Sequence, residues 1–503
     1  MDKKTLAFLS SIKDDLDIFY YDIIGSQAHT IMLHKINILS LRDLSQILQS
    51  LEDLKKIKLA DITNSSSSGV EDSSIDYSEF EDIHELVESY VISKTGIDIG
   101  GKMHTGRSRN DQVSLDLRLK IRDDILEICV LLLDLINVLG TRAKEFIDTI
   151  FPLYTHLQQA QIGTFSHYLT SYAFSLLRDF DRLFSSFDRI NQSPLGACAI
   201  SGTSINIDRK MTANLLGFDN IIYNSLDATT SRDVFIEFSS IISILMITIS
   251  RISEDLILWS SSEFNFISLS DRHSSTSSAM PQKKNPDPLE VFRAKTSRIA
   301  GNLFSIISIV NSLSSGYSRD LQEIKPSLFE IAKNIKMILP LMTDILANIT
   351  LNKKKIESIS ERGYSTSLDI AEKIVIQLKV PFRQSHQLVG QLVQILVSRD
   401  SDSFIDINIQ DIKQILESLE LTKIHPNEIL NIIKEMTPIK SISEKKSLGS
   451  PNPNEQRIMI STIMSTLDEF KKHLDIKKNV IDEVMFKFNS TVEYYIQSKK
   501  STK

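Results

Sequence analysis

Two stretches of the chain concentrate residues able to handle a charged ligand. The first, Ser274–Glu290, reads SSTSSAMPQKKNPDPLE: small hydroxyl residues, then Lys283-Lys284-Asn285-Pro286. It lacks apolar periodicity and reads as a loop, and a long helical pattern follows Pro286. Free N–H groups at a helix entrance, with two lysines beside them, suit an anion. By composition alone, a solvated connector with a basic tip is the favoured reading. The second, Gly100–Gln112, reads GGKMHTGRSRNDQ and leads into a helical pattern running from about Arg107 to Lys144. Glycine admits close backbone approach, Arg109 offers a two-pronged set of donors to a carboxylate, and Asn110 both donates and accepts. The plainer alternative is a polar loop capping a long helix.

Other candidates are weaker singly. In Tyr154–Gln161, YTHLQQAQ, His156 has the neutral-range pKa that acid/base chemistry needs, although a lone histidine near a helix start is more often a cap or core residue. The stretch is expected to open a helix running to about Ile190. Tyr317–Lys325, YSRDLQEIK, breaks the helical pattern and by itself is a polar inter-helix loop. Tyr21–His29 is expected to separate two helices, with Asp22 and Ser26 as turn or capping residues. Glu81-Asp82-Ile83-His84 reads as helix-start chemistry, and Glu290 as a surface carboxylate one turn into its helix.

Taken together, these pieces resemble one family. S-S-x-M-P-x-K-x-N-P resembles the mobile-loop signature of the fumarase/aspartase superfamily. HTGRSRNDQ, THLQ, PLG at 194–196, Y-x-x-D-L-Q-E-x-K, VPFR at 380–383 and MPQKKNP follow the pattern of its argininosuccinate lyases, over roughly residues 15–390. The resemblance implies elimination of argininosuccinate to arginine and fumarate. It implies Ser277 as base, His156 as acid with Glu290 as its partner, and Lys283 and Asn285 steadying the carbanion's carboxylate. It further implies Ser26, Arg109, Asn110, Thr155, Tyr317, Gln322 and Lys325 as substrate ligands, and a homotetramer whose sites each draw on three chains. The chain departs from the family pattern at Leu153, Ile162 and Thr276. Two alternatives stand beside this reading: another fumarate-releasing lyase of the superfamily, and a catalytically silent relative of the kind used as lens delta-crystallins.

The elements expected to carry these residues are helices. The expected class is all-α, with an N-terminal helical domain (1–110), a central long-helix bundle (111–364) and a C-terminal helical domain (365–503). Arg232–Trp259 is apolar on nearly every face, which buries it. Helices of this length span roughly 40–55 Å, more than one compact domain hides, so bundle helices from several chains are expected to pack together. Thr63–Ser78 reads as an exposed loop, Ser447–Asn454 as a linker, and the tail from Glu455 as helical without chemistry. His386 is expected to be structural.

Composition sets the outer bounds. The 503 residues are 42% hydrophobic and 24% charged, with a net charge of −7, which argues against a general nucleic-acid binder. Two cysteines, Cys129 and Cys198, are too few for a disulfide framework and point to a reducing, cytoplasmic setting. Charged residues throughout the first twenty positions argue against a signal peptide. The uncharged run Ile299–Ser318 contains Gly301, asparagines and serines, and reads as a bundle helix rather than a membrane span. The sequence holds neither a metal-ligand cluster nor a dinucleotide glycine motif, so no cofactor is expected.

Overall fold

A computed structural model of the chain describes residues 2–57, 79–276 and 279–498. Ser277 and the whole of the expected 63–78 loop lie outside the described residues. The N-terminal part contains α1 (Phe19–Lys35), α2 (Leu41–Lys55) and α3 (Ile83–Thr95). The bundle consists of α4 (Arg109–Glu145), α5 (Phe165–Ile190), α6 (Asp233–Ser260), α7 (Asp287–Val310) and α8 (Lys325–Asn348). Between α4 and α5 stands an antiparallel hairpin, β1 (Ile150–Thr155) and β2 (Gln158–Thr164).

Local chemistry sets the helix starts. Ser108 caps α4 in a reciprocal box with Asp111, and Thr164 caps α5 by accepting from the N–H of His167. Pro288 occupies the first turn of α7, where a missing N–H costs nothing, and Asp287 and Glu290 sit at the positive end of its dipole.

Cross-links fix the helix directions. Arg118 near the start of α4 reaches the carbonyl of Ile190 at the end of α5 and the hydroxyl of Ser231 just before α6. Arg142 near the end of α4 reaches the Ile349 carbonyl just past α8. Thr296 on α7 donates to the Met246 carbonyl on α6, and Arg293 pairs with Glu254. Thus α4, α6 and α8 run one way and α5 and α7 return. Their apolar faces close on a core that includes Phe151, Phe165, Phe235 and Trp259. By length and composition α6 is apolar enough to cross a membrane, yet it packs against α5, α7 and α8.

A second core gathers residues 370–436, around α9 (Ser367–Leu378) and α10 (Phe382–Ser398), with Pro381 at the break between them. The last helix, α11 (Pro453–Ser498), leaves that core and lies along α2, α4 and α5. Residues 370–436 and α11 thus pack in different places. His386 is exposed, Cys129 is buried and both cysteines are free thiols.

Two expectations are corrected. Tyr21–His29 does not break a helix, since α1 runs through it without interruption. Gly25 serves close packing within it: a Cβ there would meet the Leu115 side chain on α4 at 2.7 Å. Nor does Tyr154–Gln161 open a helix; it forms the end of the hairpin. Ile150–Tyr154 is rich in β-branched and aromatic residues, and cross-strand pairing overrides the weak helical reading of the glutamines. Two of the three family departures lie in this hairpin. Leu153 covers the bare face of Gly163, and Ile162 is buried at 1% exposure.

Candidate active site

The expected site residues fall at the two ends of the bundle. At the near end, where α4 begins, several motifs meet. Asn110 is half-buried in the first turn of α4, and its Nδ2 donates to the Ala199 carbonyl at 2.9 Å. Asp111 accepts from the N–H groups of Gly196 and Cys198 at 2.9 and 2.8 Å, so the PLGAC loop folds over this helix entrance. Burial lifts the Asp111 carboxyl to about 6 against the pull of those bonds. Gly106 holds φ +74° just before this entrance, a left-handed turn that brings the backbone against Ile207.

Glu81-Asp82-Ile83-His84 ties these segments together. Glu81 pairs with Arg109 at 3.5 Å and also with Arg319 from the YSRDLQEIK block. Asp82 caps α3 and pairs with Arg109 at 3.0 Å. His84 meets Asp22 at 2.9 Å and Asp116 at 3.6 Å, all three buried. Burial pulls the His84 pKa down, but the Asp22 carboxylate outweighs it and carries the imidazole up to about 9. Burial and the neighbouring Asp22 push the Asp116 carboxyl well above the carboxylate range. Arg109 is thus neutralised within the chain rather than left free for a substrate.

Ser26 is 1% exposed and accepts from Arg107 at 2.9 Å, so its hydroxyl is covered in the single chain. Tyr317 is partly buried, and burial raises its phenol above the usual value, keeping the O–H proton on. Gln322 donates to the Tyr317 oxygen at 2.5 Å, and Lys325 is 1% exposed and held by Asp15. Asp15 was not singled out in the sequence. It closes a separate short helix, Ile12–Asp15, ahead of α1, and no motif in its sequence neighbourhood marks it.

At the far end, Thr155 and His156 stand exposed at the hairpin tip. His156 and Leu157 both adopt left-handed backbone, φ +56° and +57°, in the two-residue turn. Such turns favour Asn-Gly, so a His-Leu pair here holds local strain of the kind that collects at functional sites. Ring contacts of Phe151 with Trp259 and of Tyr154 with Phe264 seat the hairpin beside the end of α6. The serine-rich loop is pinched by a short ladder, with Ser275 opposite Asn285 and Thr276 opposite Lys284. Lys284 is spent on Asp271, whereas Lys283 is exposed at the loop and forms no ion pair among the described residues. Asn285 is half-buried and reaches Ser275 at 3.5 Å, and Glu290 is exposed in the first turn of α7. His156 and Glu290 share this end without touching in the single chain.

The two ends are far apart. The 37 residues of α4 separate Asn110 from the hairpin by ~55 Å, and the 24 residues of α7 separate Glu290 from Tyr317 by ~36 Å. No one chain brings both ends into a single pocket.

A bundle of long helices with polar motifs at its ends defines a helical lyase of the fumarase/aspartase class. A family model described as lyase matches residues 2–301, and one described as argininosuccinate lyase C-terminal matches residues 364–434. The argininosuccinate lyase of Nitrosopumilus maritimus is 48% identical over 95% of this chain and 94% of its own. That of Methanosarcina mazei is 36% identical over 98% and 96%. Among solved structures, EDDS lyase in complex with formate superposes with a TM-score of 0.85 at 25% identity, covering 97% of this chain and 93% of its own. A class II fumarase from Schistosoma mansoni shares the fold, with a TM-score of 0.68 at 18% identity and coverage of 86% and 91%. The chain belongs to the argininosuccinate lyase family.

Proposed function

We propose that the chain catalyses the reversible elimination of argininosuccinate to arginine and fumarate, in the cytoplasm and as a homotetramer. The observation that carries the reaction is near-full-length likeness to relatives of that name, with HTGRSRNDQ and MPQKKNP intact. The tetramer is supported by the separation of the two ends and by apolar side chains left bare on the bundle: Ile244 and Ile247 on α6, Phe304 on α7 at 71% exposure, and Met337 on α8. Chains packed with their bundles antiparallel bring the near end of one to the far end of another.

In such a site Ser277 takes the Cβ proton beside a substrate carboxylate. Charge spreading into that carboxylate is met by Lys283, Asn285 and the free N–H groups at the start of α7. His156, with Glu290 as its partner, gives the proton to the departing guanidino nitrogen. Thr155 binds beside it, and the near end contributes Asn110, Tyr317, Gln322 and Lys325, with Ser26 and Arg109 lining the same region. A hydroxyl is a weak base, and the loop's lysine charge favours its anion. The test is the ultraviolet absorbance of fumarate after argininosuccinate is added to purified protein, with Ser277→Ala and His156→Asn alongside. A rise abolished by either substitution supports the assignment. A rise with adenylosuccinate or aspartate alone refutes it, as does silence of the folded protein with all three.

A further inference from the structure

At the near end the hydrogen bonds have a fixed polarity. Asp15 is 0% exposed and belongs to none of the motifs. One of its carboxylate oxygens holds Nζ of Lys325; the other accepts from Ser11 Oγ at 2.7 Å and from the Ile83 N–H at 3.4 Å. Lys325 is 1% exposed and donates to Gln322 Oε1 at 3.4 Å. An ammonium group only donates, so the Gln322 atom facing it has to be the carbonyl oxygen. That orients the whole amide and turns Nε2 onto Tyr317 Oη, 2.5 Å away. A phenol oxygen that accepts there has its own proton to give elsewhere.

We infer that Asp15 is a positioning residue: acting through Lys325 and Gln322, it sets the hydroxyl of Tyr317 as an outward hydrogen-bond donor to a carboxylate of the substrate. The inference rests on the reading that Tyr317 touches substrate. Without the Asp15 charge the buried ammonium has lost its counter-ion. The amide of Gln322 is then free to reverse, and Tyr317 donates inward to it instead of outward.

Steady-state kinetics of the full chain separate the possibilities. Tyr317→Phe raises KM about tenfold, the size of one hydrogen bond to a charged group. Asp15→Asn is expected to raise KM by about the same factor with kcat little changed, and the double variant to be no worse than either single one. Gln322→Glu is nearly isosteric and keeps the fold where Asp15→Asn does not. Its carboxylate accepts from both Lys325 and Tyr317 and so consumes the phenol proton. It should raise KM at least as much as Tyr317→Phe, and adding Tyr317→Phe to it should cost nothing more. A merely structural Asp15 lowers the folded yield and multiplies the Tyr317→Phe penalty, to about a hundredfold in KM if its own effect is tenfold; multiplicative effects overturn the inference alone. An unchanged KM in Tyr317→Phe removes the Tyr317 reading and the inference together.

Discussion

Placing His156 and Tyr317 at opposite ends of the bundle has a quantitative consequence for mixed assemblies. With ~55 Å of α4 and ~36 Å of α7 between the ends, the proposed site takes its histidine from one chain and its tyrosine from another. Two inactive variants, His156→Asn and Tyr317→Phe in combination with Asn110→Ala, carry their lesions at different ends. Each alone should be inactive. When the two are unfolded, mixed in equal amounts and refolded together, each chain is drawn independently. The far-end donor is intact in half of the sites, and so is the near-end donor, so about a quarter of the sites hold both intact ends. Fumarate production should therefore recover to about a quarter of the wild-type rate. The control is the two variants mixed without unfolding, which stay inactive while subunits do not exchange. Were both ends of one chain to serve the same site, every site would carry a lesion and the remixed sample would remain dead. That result would refute the shared-site reading, and with it the antiparallel packing of bundles.

Three further outcomes follow from the local physics. His84 has a folded pKa raised to about 9, so the stability it contributes is fully present below its unfolded value and lost as pH rises through about 9. The raised Asp116 carboxyl acts in the same direction. Calorimetry should show Tm falling from about pH 6.5 upward, a loss of ~3 kcal/mol of stability in all, and His84→Gln should flatten that slope. Of the paired lysines, Lys284 is engaged with Asp271 and Lys283 is not. Lys283→Ala should lower kcat by about 10²-fold or more, as for loss of a group stabilising developing charge, whereas Lys284→Ala should change it by less than about tenfold. Leu157 holds φ +57° with its side chain 72% exposed. A left-handed leucine costs ~1–2 kcal/mol and a glycine's extra chain entropy ~0.5–1 kcal/mol, so Leu157→Gly should raise stability by up to ~1 kcal/mol in thermal melts. A loss of stability would mean that Leu157 is packed against a neighbouring chain.

Much of the protein was legible from local pattern alone. The helical pattern from about Arg107 announces α4, Pro286 announces α7, and the apolar stretch 232–259 announces a bundle helix. Two local signals misled. The stretch 21–29 read as a break with Asp22 and Ser26 as capping residues; only the contact of Gly25 with Leu115 shows that its missing side chain serves helix packing. The hairpin at 150–164 was missed because strand pairing is a relation between two segments, and neither looks decisive alone.

The sequence by itself determined the helical class, the family and the set of chemically competent residues, since side-chain types, motif order and 3.6-residue periodicity are all written along one dimension. Only the tertiary structure decided which of those residues are neighbours. It covered Ser26 with Arg107, tied Arg109 to Glu81 and Asp82, and brought Asp15 from outside every motif onto Lys325. It also put His156 and Tyr317 at opposite ends of the bundle. The reason is physical: the partner of a buried charge, and the distance between two motifs, depend on how long helices align side by side, and nothing in a residue's sequence neighbourhood encodes that.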